Sequence, residues 1–526
     1  MLTGDILRHS ALRSPDKTAI VHGNRHTSYR DLHAQANRFA HGLLRLGLGK
    51  GSRIAILSSN CPEYAAAYFG AASAGCVLAH ASLKSTPDEL IYMLGKIAAQ
   101  ALLFDAAGAA LVSEALSGLR GIRHFVFIDG QATNPAPLPG NVILFSALTE
   151  QQHDSAPVVK LAESDPLAIT FTGGTTGFPK AVLVSHKARY ATALGAATEF
   201  AINEEDTVAV STPLFHAAGL FVWFVPAIMK SATIVLQPTW DAAQFMELVE
   251  HERISACFLV PTQLNELISH PLFARERLAS LRNIGYAGAP MGRSLLDRVR
   301  EALPHAELTE NYGQTESCPL TVRLPRHESK LRTVGRPVFN VELAIVDETG
   351  QRLAPGETGE ILTRGDTLFD EYLGDPEQTA AAFLTDNGWL WTGDLGYLDD
   401  DGFLVLVDRS KDVVISGGEN IYPAEIENAL YRHPAVAECA VFAIPDERWG
   451  ELPAAHVVLN GGASVSDDEL IAFCAEQIAR HKRPRLVKFV DALPRTSVGK
   501  IQKSVIRAPY WAGVQRFAKT AQRGKK

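Results

Sequence analysis

The chain has 526 residues, which is more than a single hydrophobic core usually covers, so we expect two or more domains. A net charge of -8 disfavours a nucleic-acid-binding protein, because such proteins normally carry a basic excess. The six cysteines show no C-x-x-C spacing, which suggests neither a zinc site nor a disulfide framework and fits a reducing compartment.

Helix-like and strand-like patterns alternate through the first part of the chain. The helical pattern occupies residues 29–46, 63–73 and 87–96. Short buried strands are indicated at residues 53–57, 78–81 and 101–104. Such alternation predicts mostly parallel sheets covered by helices. The longest apolar run, 217–229, is too short to span a bilayer, and no signal segment is visible, so we expect a cytoplasmic protein without a membrane span.

The pattern changes near residue 400, where a turn leads to a strand and charged residues 409–412 join it to further elements. These are a strand at 403–407, a helix from Pro423, strands at 435–444 and 455–459, a helix from Ser466 to Arg480, and a strand at 486–490. We therefore predict an α/β chain. Its parts are a large N-terminal domain of mostly parallel sheets flanked by helices (1–408), a hinge (409–412) and a small α+β C-terminal domain (413–526).

Residues 169–185 are the most informative part of the sequence. An apolar strand leads into T-G-G-T-T-G-F-P-K, which begins at Thr172 and ends at Lys180. Glycines let backbone N–H groups close around an anion, threonine hydroxyls add donors, and the lysine adds a positive charge. The pattern indicates a loop that holds a polyphosphate, although it has neither the Walker A spacing nor the G-x-G-x-x-G fingerprint. The alternative is an ordinary turn between two strands.

Further segments carry groups suited to a nucleotide. Residues 285–291 form a small-residue turn that a flat ring could approach, and residues 310–316 combine an aromatic face, a hydroxyl and a carboxylate. Asp394 lies on a turn suited to a ribose diol. The charged joint at 409–412 and Lys500, on a loop near the C-terminus, complete the set. Taken singly, each of these could be an ordinary surface or turn residue.

Together and in this order, the motifs T-G-G-T-T-G-F-P-K, N-Y-G-Q-T-E, W-T-G-D, D-R-S-K-D and R-T-S-V-G-K resemble those of the adenylate-forming enzymes. That superfamily contains acyl-CoA synthetases, nonribosomal-peptide adenylation domains and firefly luciferase. The resemblance covers nearly the whole chain, up to Lys503. It is strongest to acyl- and aryl-CoA ligases of the benzoate, halobenzoate and coumarate type.

The resemblance implies a nucleotide-binding role for individual residues. Those that would grip the β- and γ-phosphates of ATP are Thr172, Gly173, Gly174, Thr175, Thr176, Gly177 and Lys180. Those that would form the adenine slot are Gly288, Ala289, Pro290 and Tyr312. Thr315 would lie at the α-phosphate, Glu316 would hold Mg²⁺, and Asp394 with Arg409 would bind the ribose hydroxyls. Gly173 replaces a frequent serine and Ala181 replaces a frequent glycine, which leaves the ATP assignment in place.

The implied reaction joins a carboxylic acid to coenzyme A at the expense of ATP. The carboxylate attacks the α-phosphate, pyrophosphate leaves, and a thiol then displaces AMP from the acyl carbon. Lys500 would bridge the carboxylate and the α-phosphate in the first step, where it and Mg²⁺ offset the repulsion between two anions. In this family the small domain rotates between the steps, which makes the C-terminal domain mobile and places the hinge at Lys411.

A second group of residues concerns the acid and CoA. Residues 213–216 resemble the P-L-[FY]-H segment of acyl- and aryl-CoA ligases, which implies that His216 lies at the carboxylate end of the acid pocket; a satisfied core histidine is the alternative. The apolar pocket walls, or else core residues, would be Phe221, Val222, Trp223, Tyr286 and Ala287. Gly418 matches the wall of the thiol tunnel, and Trp449 and Arg483 match contacts to the CoA nucleotide, although His481 replaces a usual aromatic residue.

Several alternatives stay open at this point. No aspartate lies between Leu214 and Phe224 to pair with an α-ammonium, so we expect an acid without that amine, either aromatic or of medium length. A fatty-acyl-CoA synthetase and an acyl-AMP ligase that loads a carrier protein are the enzymatic alternatives. A luciferase-like oxygenase and a non-enzymatic nucleotide-binding protein are weaker ones. The expected partners are the acid and CoA, with no nucleic acid and with a homodimer left open.

Overall fold

The computed structural model describes residues 1–130, 141–172, 179–289, 291–384, 388–495 and 501–512. Within those residues the strands form four sheets, two large ones in the N-terminal part of the chain, a smaller one after them, and one in the C-terminal part. The predicted architecture is confirmed: a large N-terminal α/β domain is followed by a smaller C-terminal domain.

The first large sheet has eight strands within the described residues. In spatial order they are Glu371–Tyr372, Lys180–Ser185, Pro166–Thr172, Val77–His80, Arg53–Leu57, Ala101–Phe104, His124–Phe127 and Val142–Leu144. The pairs that involve Lys180–Ser185 are antiparallel and the others are parallel. Because parallel strands end at the same edge, the loop that follows Thr172 leaves the sheet beside the end of Val77–His80.

The second large sheet has nine strands in the described part of the chain. In spatial order they are Arg336–Pro337, Ser317–Arg323, Glu307–Gln314, Asn283–Tyr286, Ala256–Leu259, Thr207–Val210, Thr233–Leu236, Thr18–His22 and Arg25–Ser28. Its central pairs are parallel and its outer pairs are antiparallel. The parallel pairing of Asn283–Tyr286 with Glu307–Gln314 brings two predicted nucleotide segments to one edge, with Tyr286 opposite Glu310.

Each of the two smaller sheets has five strands among the described residues. The first consists of Val341–Val346, Gly359–Gly365, Trp389–Leu398, Phe383–Leu384 and Leu404–Arg409. The second consists of Glu419–Ile421, Val414–Ser416, Gly450–Leu459, Val436–Asp446 and Leu486–Phe489. The two sheets are joined by a 3₁₀ turn, Ser410–Asp412, which falls on the charged joint of the sequence.

The α-helices cover the sheets and begin where capping residues occur. In the N-terminal part they are Thr3–Arg13, Tyr29–Arg45, Pro62–Ala74, Pro87–Lys96, Ala109–Ala115, Phe145–Thr149, His186–Glu199, Val225–Met229, Ala242–Glu252, Pro261–Ser269, Arg293–Ala302 and Pro376–Ala382. In the C-terminal part they are Pro423–Leu430, Asp467–Gln477 and Lys503–Arg507. Ser466 caps Asp467–Gln477 by accepting a hydrogen bond from the Glu469 N–H.

Two predicted boundaries are wrong. The helix that starts after Ser466 ends at Gln477 and not at Arg480, because Ile478 already has an extended backbone. The strand predicted at 455–459 is longer, Gly450–Leu459, because its full length pairs with Val436–Asp446. The other predicted helices and strands are confirmed within one or two residues at each end.

The interior of the chain is apolar, and the six cysteines belong to it. Cys61, Cys76, Cys257, Cys318, Cys439 and Cys474 are all buried, and none forms a disulfide. The apolar run 217–229 folds as a buried π-helix, Ala218–Phe224, that continues as the helix Val225–Met229. In the described ranges, no helix is both long and apolar enough to cross a membrane.

Candidate functional site

The two ends of the predicted phosphate loop are neighbours in the eight-stranded sheet. Thr172 ends one strand, Lys180 begins the next, and the two residues face each other across an antiparallel pair. The loop residues Gly173, Gly174, Thr175, Thr176 and Gly177 lie outside the described residues. The ammonium of Lys180 lies 4.4 Å from the centre of the Tyr372 ring, a cation–π contact.

Tyr372 connects Lys180 with Glu316. Its hydroxyl donates a hydrogen bond of 2.8 Å to Glu316 Oε1, and the Phe369 N–H donates to the Glu316 carbonyl at 2.7 Å. The side chain of Glu316 is therefore oriented from a strand 56 positions further along the chain. Sequence reasoning missed Tyr372, and no local pattern around it could have shown a contact that depends on sheet pairing.

Asp394 contacts two other predicted site residues, one through a hydrogen bond and the other through an ion pair. The Tyr312 hydroxyl donates to Asp394 Oδ2 at 2.6 Å, and Arg409 Nε lies 3.3 Å from Asp394 Oδ1. Asp394 lies within the strand Trp389–Leu398 and not on a turn as predicted. It stands opposite Arg409 on the antiparallel strand Leu404–Arg409, which explains their contact. Burial and the adjacent carboxylate raise the pKa of Tyr312 well above its usual range, so its hydroxyl stays protonated and donates. Attraction to Asp394 raises the pKa of Arg409.

The predicted adenine slot begins at the edge shared by two parallel strands. Gly288 and Ala289 are exposed just after Asn283–Tyr286, and Gly288 has a φ of +89°, which glycine adopts without strain. Tyr312 lies two residues beyond Glu310, the partner of Tyr286 in the neighbouring strand. Pro290 lies outside the described residues. The described part of the slot therefore lies at the strand ends of the nine-stranded sheet, where Tyr312 also contacts Asp394.

Thr315 is held by a buried arginine that sequence reasoning did not identify. Arg189 Nη2 donates a hydrogen bond of 2.9 Å to the Thr315 carbonyl, and Arg189 is only 1% exposed. The Thr315 backbone is therefore fixed from the helix His186–Glu199. An arginine among alanines in a helix gives no sequence signal of such a contact.

The predicted acid pocket is built around the π-helix Ala218–Phe224. His216 is partly exposed just before it, and its Nδ1 accepts a hydrogen bond of 3.3 Å from the Ala218 N–H. Phe221, Val222 and Trp223 are buried, and the Trp223 indole stacks on Phe200 with ring centres 5.5 Å apart. His216 therefore lies at the mouth of an apolar region.

Two further predicted wall residues follow the strand Asn283–Tyr286. Ala287 is buried. Tyr286 is buried with its hydroxyl donating to Glu310 Oε2 at 2.9 Å and accepting from Arg323 Nη2 at 2.5 Å. The hydrogen bonds among Tyr286, Glu310 and Arg323 satisfy the Tyr286 hydroxyl and fix this side chain within the packed interior.

The charged joint is fastened to the C-terminal part of the chain. Arg507 Nη1 lies 3.2 Å from Asp412 Oδ1, and the Ala424 N–H donates to Asp408 Oδ2 at 2.8 Å. Burial lowers the pKa of Lys411 and raises the pKa of Asp408 to about 6. The joint is thus a partly buried group of charges.

Two of the three predicted CoA residues are close together. Gly418 forms a turn with a φ of +90°, and the Gly417 N–H beside it donates to the Trp449 carbonyl at 2.8 Å. The Trp449 side chain is exposed. Arg483 lies apart on the segment before Leu486–Phe489, and its buried Nε has no hydrogen-bond partner in the described part of the chain.

The last predicted residue, Lys500, lies outside the described residues. The segment that contains it is closed at its base, because Arg495 and Ile501 form an antiparallel bridge. Among the residues that are described, no group of three or more His, Cys, Asp or Glu side chains could hold a metal ion.

Comparison with known proteins matches nearly the whole chain. The profile of the AMP-binding enzyme family matches residues 7–373, and that of the AMP-binding enzyme C-terminal domain matches residues 425–500. The indoleacetate–CoA ligase of Aromatoleum aromaticum is 36% identical over 504 residues, which cover 95% of this chain and 96% of the relative. The feruloyl-CoA synthase of Amycolatopsis sp is 33% identical over 499 residues, with 94% and 96% covered.

Solved structures agree with the sequence comparison. ATP-bound MatB from Rhodopseudomonas palustris has a TM-score of 0.89 at 27% identity, with 98% of this chain and 100% of that chain covered. The anthranilate CoA ligase AuaEII in complex with anthranoyl-AMP has a TM-score of 0.90 at 26% identity, with 98% of each chain covered.

Proposed function

The chain belongs to the AMP-binding enzyme family and is an AMP-forming acyl-CoA synthetase, and from this premise we propose how its residues share the reaction. ATP and CoA are its co-substrates. A carboxylic acid reacts with ATP to give acyl-AMP and pyrophosphate, and CoA then takes the acyl group and releases AMP. The observation that carries the assignment of roles is the meeting of Tyr312, Asp394 and Arg409 beside the slot that begins at Gly288.

We assign the nucleotide to this edge of the sheet. Asp394 and Arg409 bind the ribose hydroxyls, and the Tyr312 ring stacks on the adenine against Gly288, Ala289 and Pro290. The contacts among Tyr312, Asp394 and Arg409 support this, because Asp394 Oδ2 accepts one hydrogen bond, Oδ1 lies in an ion pair with Arg409, and both oxygens keep acceptor capacity for a diol.

The polyphosphate is assigned to the loop between Thr172 and Lys180. Gly173, Gly174, Thr175, Thr176 and Gly177 supply backbone N–H groups and hydroxyls to the β- and γ-phosphates, and Lys180 supplies charge. Thr315 donates to the α-phosphate from a backbone that Arg189 holds in place. The Lys180–Tyr372–Glu316 contacts support a position of Glu316 near the phosphates.

Glu316 is the residue that we assign to Mg²⁺. One of its oxygens accepts the Tyr372 hydroxyl, which leaves the other for a cation, and Mg²⁺ is commonly held by one or two carboxylates together with substrate phosphates. When bound, Mg²⁺ neutralises part of the phosphate charge that the incoming carboxylate meets. Tyr372 keeps the Glu316 side chain in a fixed orientation toward the site.

In the first half-reaction the acid lies with its carboxylate near His216 and its body along the apolar wall of the π-helix. A carboxylate oxygen attacks the α-phosphorus and the bond to pyrophosphate breaks. Lys500 bridges the attacking carboxylate and the α-phosphate, and its charge offsets their repulsion. We propose an aromatic or medium-length hydrophobic acid, in line with relatives that act on feruloyl and indoleacetate groups.

In the second half-reaction the thiol of CoA attacks the acyl carbon and AMP leaves. We propose that the C-terminal domain, residues 413–526, rotates about Lys411 within the joint 409–412, so that Lys500 withdraws. Gly418 then lies along the path of the thiol, and Trp449 and Arg483 contact the CoA nucleotide. The exposed Trp449 ring beside the Gly417–Gly418 turn is the feature that supports this surface.

Pyrophosphate release tests the overall assignment. We expect ATP- and Mg²⁺-dependent release with one class of benzoates, cinnamates, arylacetates or C2–C16 fatty acids, and continuous turnover only when CoA is present. Release of about one equivalent per enzyme that CoA does not relieve would point to a carrier-protein acceptor. No release with any acid would contradict the proposed function.

Lys500→Ala tests the division between the two steps. We expect the variant to lose acyl-AMP formation and to keep CoA transfer from supplied acyl-AMP nearly intact, because the lysine offsets charge only in the first step. Single-turnover rates of each half-reaction are the measurement. Equal losses in both would contradict the assignment. The homodimer and the cytoplasmic location stay predictions.

A further inference from the structure

Four buried polar side chains form a group beside the proposed acid pocket. We call Tyr68, His80, Thr170 and Arg189 the buried polar cluster; each is at most 3% exposed. His80 ends the strand Val77–His80 and pairs in register with Thr170 of the neighbouring parallel strand Pro166–Thr172. Tyr68 lies on the helix Pro62–Ala74, with its ring centre 6.1 Å from that of His80. Arg189 comes from the helix His186–Glu199.

Each member of the cluster has a polar atom without a hydrogen-bond partner among the described residues. These atoms are Tyr68 Oη, His80 Nε2, Thr170 Oγ1 and Arg189 Nε. An isolated orphan of this kind is costly and uncommon in native proteins, and four of them in one place are a strong departure from that rule. The cluster therefore has the composition of a binding site and not of a satisfied core network.

The four atoms are suited to donate hydrogen bonds. The Tyr68 and Thr170 hydroxyls and the Arg189 Nε–H are donors. The Tyr64 hydroxyl lies 2.8 Å from His80 Nδ1, and when it donates to that atom, His80 Nε2 carries the proton and becomes the fourth donor. Burial lowers the pKa of His80 to about 3, so the imidazole is neutral at neutral pH.

Among the described residues, no carboxylate forms an ion pair with Arg189. Its hydrogen-bond partners within the described residues are neutral: the Thr315 carbonyl, the Thr192 hydroxyl and the Cys318 thiol. Asp370 lies within reach of this charge, yet burial raises the pKa of Asp370 and disfavours its charged form. A buried cation normally has an anionic or strongly accepting partner.

Three members of the cluster contact one residue of the pocket wall, Phe221. The Arg189 guanidinium carbon lies 4.4 Å above the Phe221 ring centre. The His80 ring meets Phe221 edge-on at 5.9 Å between centres, and the Tyr68 ring is 6.1 Å away. Phe221 belongs to the π-helix that follows His216, so an acid that extends inward from His216 along Phe221 reaches these donors.

We propose that the buried polar cluster binds an oxygen acceptor on the body of the acid, a hydroxyl, carbonyl or second carboxylate group, and thereby selects oxygenated hydrophobic acids. This rests on the proposed function, because it needs the acid to lie against Phe221. An acid without the oxygen leaves the donors unpaired, and a site built to hydrogen-bond a substrate group discriminates strongly against an analogue that lacks it.

Matched acids test the proposal. Each pair or series has one carbon skeleton with and without an oxygen group: 3-phenylpropanoate with its 4-hydroxy derivative, and hexanoate with 6-hydroxyhexanoate and hexanedioate. We expect the wild type to prefer an oxygenated member by about 10-fold or more in kcat/KM for pyrophosphate release. Tyr68→Phe and Thr170→Val, which remove one hydroxyl each, should lower that ratio by about 10-fold.

Tyr29→Phe is the matched control for the loss of a buried tyrosine hydroxyl. The Tyr29 hydroxyl is satisfied, since it donates to the Ala232 carbonyl at 2.6 Å. Its removal should lower the Tm and leave the acid preference unchanged, whereas Tyr68→Phe should change the preference without lowering the Tm. A preference that neither cluster variant alters, or a wild type that favours the unsubstituted acids, would overturn the proposal.

Binding measured without ATP separates this proposal from the proposed function. The oxygenated acids should raise the Tm of the wild type more than their unsubstituted partners do, and Tyr68→Phe should remove the difference. If this result is obtained while no acid releases pyrophosphate, the ligase assignment fails and the acceptor site stands. If pyrophosphate is released but the Tm shifts are equal within each matched set, the acceptor site fails and the ligase assignment stands.

Discussion

Asp394 shows at the scale of one residue how the candidate site is prepared for a ligand. Its two oxygens are engaged by Tyr312 and Arg409, and its side chain is 12% exposed. Both partners come from other strands, so the carboxylate is oriented before a ribose arrives. Preorganisation of this kind lowers the entropy that binding must offset.

Asp394→Asn should therefore weaken ATP binding. We expect the KM for ATP to rise about 10- to 100-fold, because a hydrogen bond to a charged group contributes about 1.5–3 kcal/mol. The effect on kcat should be smaller. Asp16→Asn is the control, since Asp16 forms an exposed ion pair with Arg30 and such pairs contribute little. A KM within 2-fold of the wild type would contradict the ribose assignment.

Asp408 should give the protein a measurable pH dependence. Burial raises its pKa from 3.8 to about 6, so the folded state binds a proton that the unfolded state has lost. Its contribution to the free energy of unfolding is therefore highest at low pH and falls as the pH rises from about 4 to about 6. The total fall is at most about 3 kcal/mol.

Asp408→Asn isolates this contribution. The asparagine cannot ionise, so the stability of the variant relative to the wild type should be higher at pH 7.5 than at pH 5 by about 1 kcal/mol. The absolute stability also changes, because Asp408 accepts one N–H on each oxygen and asparagine has one acceptor oxygen. Urea unfolding at both pH values is the measurement. Parallel shifts at the two pH values would show that Asp408 does not titrate as described.

Residues that belong to a recognisable motif were easier to predict than residues whose only signal is a contact with a distant part of the chain. Asp394, Arg409 and Tyr312 were recognisable because their motifs carry them. Tyr372 and Arg189 were not, because their roles arise only when strands and helices more than 50 positions apart meet. A sequence pattern reports local spacing and contains no information about such long-range contacts.

At the scale of elements, the π-helix Ala218–Phe224 depends on a glycine in a neighbouring strand. A Cβ atom on Gly285 would lie 2.2 Å from Trp223 Cζ2, and Trp223 is fully buried against Phe200. The indole therefore has no room to move away. The absence of a side chain at Gly285 is what lets the pocket wall pack onto the nine-stranded sheet.

Gly285→Ala should destabilise the protein and disturb the pocket. We expect a loss of about 1–3 kcal/mol in the free energy of unfolding, the usual cost of overpacking, together with a higher KM for the acid. Gly95→Ala is the matched control, because Gly95 is exposed within a helix and a Cβ there meets nothing within 4 Å. That change should stabilise by about 0.5–1 kcal/mol. Equal effects of the two substitutions would contradict this account of the wall.

Helix starts were predicted more accurately than the end of the helix that follows Ser466, and the order of strands was not predicted. Ser466 caps its helix and Pro423 opens its helix because local capping chemistry determines where helices begin. The helix predicted to reach Arg480 ends at Gln477. Its end was predicted wrongly because the C-terminus of this helix has no capping residue comparable to Ser466. The order of strands within each sheet depends on crossovers between distant segments, which periodicity does not encode.

At the scale of the whole molecule, the joint between the domains is the feature on which the proposed mechanism depends. The two small sheets are linked only through Ser410–Asp412 along the chain, and Arg507 fastens Asp412 to the C-terminal part. A rotation there changes few torsions and can carry an entire domain.

Lys411→Pro should impair one half-reaction far more than the other. Proline fixes φ near −65°, so the joint keeps a single arrangement and overall turnover falls by about 10-fold or more. Relative to the wild type, the single-turnover rate of one step, adenylation or CoA transfer, should fall at least about 10-fold further than the rate of the other. Lys411→Ala keeps the torsional freedom and should affect both steps equally. A proline variant with equal losses in both steps would contradict the rotation.

The architecture of the whole chain could be predicted, partly from residue patterns and partly from the resemblance to the adenylate-forming enzymes. Alternating patterns indicate parallel sheets, and the change of pattern near residue 400 indicates a second domain. The division of the N-terminal strands into two large sheets was not predicted. Helices such as Pro62–Ala74 are buried on all sides, so their sequences show little periodicity and do not indicate which sheet they cover.

The burial of all six cysteines protects the enzyme from its own intermediate. An acyl-AMP is an electrophile that any accessible thiolate attacks, and CoA is the intended thiol. Burial raises the pKa of every cysteine thiol in the chain, including Cys318 beside Arg189, so these sulfurs remain protonated as well as shielded. The acyl group of the acyl-AMP is therefore not transferred to the cysteines of the chain, and the thiol that it meets is the one that CoA brings from solution.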